Sequence, residues 1–236
     1  MAVKDIAPDM LEAIRAHFSY RMQTDPTIKR LSKVFADGGG TYEQVNEFAI
    51  RTGEILEGAY KLHISEAELP GGRMWYNIAD KVLRPTLENN YAIVADAAEM
   101  VQNGLNSAAG VQLKAIRPAK NGDRVQNLIQ KVADYEHYSD AEWLLQEPVV
   151  NFTQSVVDDA IKANMDFQGG VGMRAKVKRI AVGRCCEWCQ SVAGSYTYPD
   201  VPPEVWQRHE RCRCIIDYTP SKGNTERLRG TGRSWR

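Results

Sequence analysis

All five cysteines of the chain lie between residues 185 and 214, as Cys185-Cys186-Glu187-Trp188-Cys189 and then His209-Glu210-Arg211-Cys212-Arg213-Cys214. Two half-sites result, Cys186-x2-Cys189 and His209-x2-Cys212-x-Cys214, and the chemistry they suit is metal binding. A Cys-x2-Cys pair lets a tight turn aim two sulfurs at one point, and thiols deprotonate readily on a borderline-soft divalent ion such as Zn2+. On a strand, Cys212 and Cys214 would share one face, with His209 approaching from the end of a preceding helical turn. Four of Cys186, Cys189, His209, Cys212 and Cys214 are therefore expected to hold one structural Zn2+. We favour Cys186, Cys189, His209 and Cys212, with Cys214 as the substitute and Cys185 outside the shell. Four protein ligands close such a site, whereas catalysis needs an open position for water. The competing reading, disulfides with a spare thiol, sits badly with an odd cysteine count. Met1 to Ala16 carries Asp5, Asp9 and Glu12 and no apolar run, so we expect synthesis in a reducing cytosol. No stretch is apolar for long enough to span a bilayer.

The elements that must position these residues divide the chain in two. At 236 residues with 43% hydrophobic side chains, the chain can bury one large core with a small appendage. The net charge of zero hides an asymmetry: residues 173–236 hold 13 Lys and Arg against 6 Asp and Glu, and residues 1–172 hold the remaining 17 and 24. An acidic part precedes a basic one, and the two have different electrostatic tasks.

Residues 1–172 read as a helical domain. A helix from Pro8 or Asp9 to Arg21 is followed by one from Pro26 to the Gly38-Gly39-Gly40 break. Thr41 and Gln44 form a capping box for a helix through Val45, Phe48, Ile55, Leu56, Ala59 and Leu62, ending near His63. After Pro70-Gly71-Gly72, a helix through Trp75, Ile78 and Val82 is expected to stop at Pro85, and a second to carry Leu87, Tyr91, Val94, Ala98, Val101 and Leu105. Val125, Ile129 and Val132 mark another, Ser139 and Glu142 suggest a second capping box, and Pro148 opens a helix to Phe167. Trp75 and Trp143 fall on apolar positions and read as core. Residues 173–218 change character. Lys176 to Val182, Ser195 to Tyr198 and Cys212 to Tyr218 read as three strands, with one helical turn from Pro202 to Trp206. The fold class is thus a mainly α N-terminal domain followed by a small α+β zinc-knuckle module. So small a sheet buries little, and a metal would supply the missing stability. Trp188 and Trp206 are expected to pack around the metal. Residues 219–236 form a basic tail.

From Lys176 to Tyr218 the order is strand, Arg184, Cys186-x2-Cys189, small residues ending in Gly194, an aromatic strand, a Pro-rich turn, and His209-x2-Cys212-Arg213-Cys214 followed by Ile215-Ile216. This segment resembles the C-terminal module of the Mu F-like phage minor head proteins, also called phage head morphogenesis proteins. Two departures are Glu210, where the family commonly has Pro after the His, and the additional Cys185. The resemblance implies a non-enzymatic minor capsid protein of the virion, assembled in the host cytoplasm. It would lie inside the capsid in few copies, associated with the portal or major capsid protein, and serve head assembly or DNA packaging.

Two other readings compete. Lys222, Arg227, Arg229, Arg233 and Arg236 lie among Gly and Ser in the tail and would bind packaged DNA through its phosphates without reading sequence, making the module a sequence-neutral nucleic-acid binder. Trp235 could anchor to a partner or stack on a base. A metal-dependent nuclease would use His209 as base with Arg211 or Arg213 on phosphate. The chain carries no Walker loop, no Gly-x-Ser-x-Gly elbow and no His-Glu-x2-His. His17, His63 and His137 read as isolated helix-face residues, and the adjacent Asp158 and Asp159 point some ~100° apart on a helix, so they do not form a two-carboxylate site.

Overall fold

The structure, a computed structural model, describes residues 5–183, 185–209 and 211–221. Seven helices come first: α1 (Ala7–Thr24), α2 (Pro26–Ala36), α3 (Tyr42–His63), α4 (Tyr76–Ala108), α5 (Gly122–Asp134), the one-turn α6 (Tyr138–Ala141) and α7 (Glu147–Gly170). A small α+β module follows, with β1 (Lys176–Ile180), the one-turn α8 (Glu187–Ser191), β2 (Gly194–Thr197), a 3-10 turn at Pro203–Trp206 and β3 (Ile215–Thr219). The sheet is antiparallel with order β2-β1-β3, and Val177 faces Tyr196 on one side and Tyr218 on the other. None of the described helices is long and apolar enough to cross a membrane.

Local chemistry explains the helix starts. Asp25 caps α2 by accepting from the N–H groups of Thr27 and Ile28 at 3.0 and 3.1 Å, satisfying donors that the first turn leaves without partners. Its other oxygen takes the Arg51 guanidinium of α3 at 2.7 Å, so one buried carboxylate both starts a helix and docks it. The capping box at α3 is formed, with Gln44 N–H donating to Thr41 Oγ1 and Thr41 N–H to Gln44 Oε1.

The apolar stripe of α3 lies at the centre of the bundle, between α1, α2, α4 and α7. Gly53 sets its distance from α7: a Cβ there would stand 2.8 Å from Val150 Cα and 3.0 Å from Thr153 Oγ1. Polar side chains inside the bundle are joined in series. Tyr42 donates to Gln102, Gln102 to Asn106, Gln168 also to Asn106, and Tyr218 of β3 to Gln168, at 2.8, 2.7, 2.9 and 2.5 Å. This series crosses α3, α4, α7 and the sheet, and the apolar core is continuous across the same boundary through Ala175, Val177, Val205, Ile216 and Tyr218.

Several local expectations are corrected. Pro85 does not end a helix: α4 runs through it. Pro85 denies Lys81 its usual backbone partner, but Lys81 is exposed, so water can take the freed carbonyl, while Val82, Leu83, Thr86 and Leu87 stay packed on the inner side. Ser139 and Glu142 make no capping box, because the Ser139 N–H donates to Glu66 at 2.8 Å and Glu142 begins a separate 3-10 turn. Trp75 and Trp143 are each 47% exposed rather than core. Trp75 instead donates to the Pro70 carbonyl and lies under the Arg73 guanidinium. Leu62 and Phe167, also placed on apolar stripes, are exposed.

Gly53→Ala tests the close approach of α3 and α7. Helix propensity alone would stabilise the variant by about 1 kcal/mol, but overpacking against Val150 costs about 1–3 kcal/mol. We expect a net loss of stability in a denaturant titration; a gain would show that the helices can separate freely.

Candidate metal centre

The module brings two groups of donors together around one shared residue. Cys186, Cys189 and His209 form the first and Cys189, Cys212 and Cys214 the second, with the donor atoms of each group within 4.8 Å of one another. Cys189 Sγ lies 2.9 Å from His209 Nε2 and 3.8 Å from Cys212 Sγ, and Cys186 Sγ lies 3.3 Å from the same His209 nitrogen. All five thiols are unbridged. Cys189, Cys212 and Cys214 are each 1% exposed, whereas Cys186 is at the surface. The cluster therefore has the donor types and the convergence to hold a metal ion.

Each half-site has a local cause. Cys186 is the N-cap of α8, and its sulfur accepts the Cys189 N–H at 3.5 Å, so the first turn of the helix points both sulfurs the same way. In the second half-site, Cys212 N–H donates to the His209 carbonyl at 3.2 Å, and Arg211 adopts a left-handed backbone with φ 56°. A non-glycine residue there costs about 1–3 kcal/mol and needs surrounding structure to hold it. Cys212 and Cys214 were expected on a strand; β3 begins only at Ile215, and both sulfurs are delivered by the turn before it.

Cys185 Sγ lies 3.6 Å from Cys214 Sγ and donates to the Val182 carbonyl, so the fifth thiol borders the cluster on the Cys214 side. Burial, then the neighbouring Cys214 and Cys212 thiols, push the Cys189 thiol well above its ordinary range. An ion entering the cluster must displace that proton.

Charged residues to which sequence reading gave no supporting role brace the cluster. Arg208 and Asp158 form a buried ion pair with side chains 6% and 3% exposed: Asp158 accepts from Nε and from Nη2, at 2.5 and 2.8 Å. Arg208 Nη1 also donates to the Cys214 carbonyl at 2.8 Å, so α7 holds the backbone of the second half-site. The neighbouring Arg213 pairs with Glu147 at the start of α7. Arg179 of β1 is 2% exposed, with Nη2 at 3.8 Å from Cys212 Sγ and Nη1 donating to the Val205 carbonyl. A signal for Arg179 was present in the strand alternation, since Val177 and Arg179 share the inward face. Nothing local marks Asp158 as the partner of a residue fifty positions on.

Trp188 meets the His209 ring edge-on at 5.9 Å between centroids and lies under the Arg179 guanidinium at 5.4 Å. Trp206 was expected beside it, but packs on the main core. A cleft of about 760 Å3 opens beside His209, lined by Arg124, Lys131, Trp143, Asn151 and Phe152 among others. His17 and His63, expected to be isolated, stack edge to face at 5.4 Å, and His137 lies 3.4 Å from Glu66. Lys222, Arg227, Arg229, Arg233, Arg236 and Trp235 lie outside the described residues.

Two sets of substitutions check this geometry. Cys189→Ser removes the donor common to both groups and should abolish metal retention, whereas Cys185→Ser should keep it; elemental analysis of tag-free protein reads both, and equal retention by the two would refute the shared role of Cys189. Asp158→Ala strands the Arg208 charge inside the protein and should cost about 3–5 kcal/mol in a urea titration, while a near-neutral result would mean that Arg208 escapes to water.

Compared with known proteins, the chain matches no family model, no curated protein and no solved structure.

Proposed function

We propose that this chain is a phage minor head protein of the Mu F-like kind, whose C-terminal module is stabilised by one structural Zn2+. One observation carries the reading: two half-sites twenty residues and more apart in sequence converge on the shared Cys189, in a small sheet that follows a helical body. Zinc suits the donors. Zn–S bonds of about 2.3 Å place tetrahedral sulfurs about 3.8 Å apart, and a sulfur and an imidazole nitrogen about 3.6 Å apart. The Cys189–Cys212 separation of 3.8 Å and the Cys186–His209 separation of 3.3 Å lie near these values, while Cys189–His209 at 2.9 Å must open on binding.

In this role the ion would fasten the turns that lie beyond the core the sheet shares with the bundle, and all chemistry at the site is structural. The acidic residues of the helical body would face a basic patch of a portal or capsid subunit, and the basic C-terminal residues would face packaged DNA. Inside the head the protein would act in few copies on assembly or on passage of the genome.

Mass spectrometry of particles purified from the phage or prophage that encodes the chain tests the assignment, together with deletion of the gene. We expect the protein in mature heads at low copy number, and heads without DNA or of low infectivity when it is deleted. Absence from particles, with full infectivity of the deletion, would refute it. Cleavage of DNA by the purified protein, lost in a folded His209→Ala variant, would favour the nuclease reading instead, and salt-sensitive DNA binding without portal binding the nucleic-acid reading.

A further inference from the structure

We propose that Arg179 is the counter-ion of the metal centre, and that its charge selects a shell of three thiolates and the His209 imidazole over a shell of four sulfurs. The inference rests on the zinc reading above and concerns the charge of the site.

Arg179 is the largest fully buried side chain of the described residues. Its guanidinium is always charged, and a buried charge without a partner is costly. Among the described residues no carboxylate pairs with it: its contacts are the Val205 carbonyl, Cys212 Sγ and the face of Trp188, and its Nε has no hydrogen-bond partner. Carbonyl and indole are neutral, so among the described residues the group beside it that can carry negative charge is the Cys212 sulfur. The other buried arginine differs, because Arg208 is neutralised by two hydrogen bonds to Asp158. One uncompensated positive charge therefore faces the cluster.

Counting formal charge then separates the candidate shells. A divalent ion with four thiolates carries two negative charges, of which Arg179 cancels one. With three thiolates and a neutral imidazole the ion carries one, and Arg179 cancels it. His209 is in reach for the second arrangement, with Nε2 within 3.3 Å of two of the sulfurs. Arg179 thus acts through Cys212 as a positioning residue: it lowers the cost of placing a thiolate at a site 1% exposed and leaves no advantage to a fourth. The structure offers more sulfurs than the shell needs, and charge limits how many are used.

X-ray absorption at the zinc edge of the tag-free native chain reads the shell directly, and competition with a chromophoric chelator reads affinity for Zn2+. We expect three sulfurs and one nitrogen. Arg179→Met should lose about 10–100-fold in zinc affinity, the usual cost of removing an outer-shell partner, and Arg179→Lys, which keeps the charge, should recover most of it. A purely structural role would make the two variants equally weak, since both lose the planar contact with Trp188. A four-sulfur shell, an Arg179→Met variant that binds like the native chain, or a lysine variant as weak as the methionine one would each overturn the inference. If Arg179→Met does not fold, the native spectrum and the Arg179→Lys affinity still decide. A native chain that takes up no zinc would overturn the zinc reading itself, a separate outcome.

Discussion

The Arg208–Asp158 pair is the constraint on which the arrangement of the module depends. Asp158 belongs to the middle of α7, and Arg208 immediately precedes the donor His209. Through Nη1 the same guanidinium donates to the Cys214 carbonyl, so one side chain ties both ends of the second half-site to the helical body. A buried ion pair adds little net stability over an apolar pair of the same volume, because desolvation offsets most of the attraction. Displacing Arg208 would leave Asp158 buried without its partner, a cost that favours the observed seat of the adjoining backbone.

The cysteine–histidine cluster and the bundle are then mechanically one structure. The sheet shares the apolar core, and the polar series from Tyr42 through Gln102, Asn106 and Gln168 ends on Tyr218 of β3. Beyond that shared core the module holds three cysteines nearly excluded from solvent and little else to pack. Donors already brought together lower the ordering entropy lost when an ion binds, and conversely an ion would rigidify the turns that carry them. The left-handed Arg211 fits this account, since its strained backbone is held where the chain must reverse to deliver Cys212.

Much of the helical body was legible because helix starts and faces are local matters. The start of α2 at Pro26, the Thr41–Gln44 box and the Ile55–Leu56–Ala59 stripe all follow from residues within four positions of one another. Failures came where a distant partner overrode a local signal. Glu66 takes the N–H that the Ser139–Glu142 box would have used, and packing along α4 on both sides of Pro85 keeps the helix whole. Trp143 shows the same limit in reverse: its periodicity is that of a core residue, yet it is half-exposed and lines the cleft beside His209.

For the site, the sequence by itself determined the chemistry: cysteine and histidine types, the Cys-x2-Cys turn that α8 realises, and a second half-site in a basic C-terminal segment. It also determined that α helices precede a three-stranded sheet, because hydrophobic period is written residue by residue. Only the tertiary structure decided that Cys189 is common to both donor groups, that Cys185 sits beside Cys214, and that Arg179 faces Cys212 with no carboxylate from the described residues beside it. The physical reason is range. Donor type and turn geometry are properties of a few adjacent residues, whereas charge compensation and convergence are settled between segments twenty to fifty residues apart, where burial makes each unpaired group costly and so leaves one arrangement.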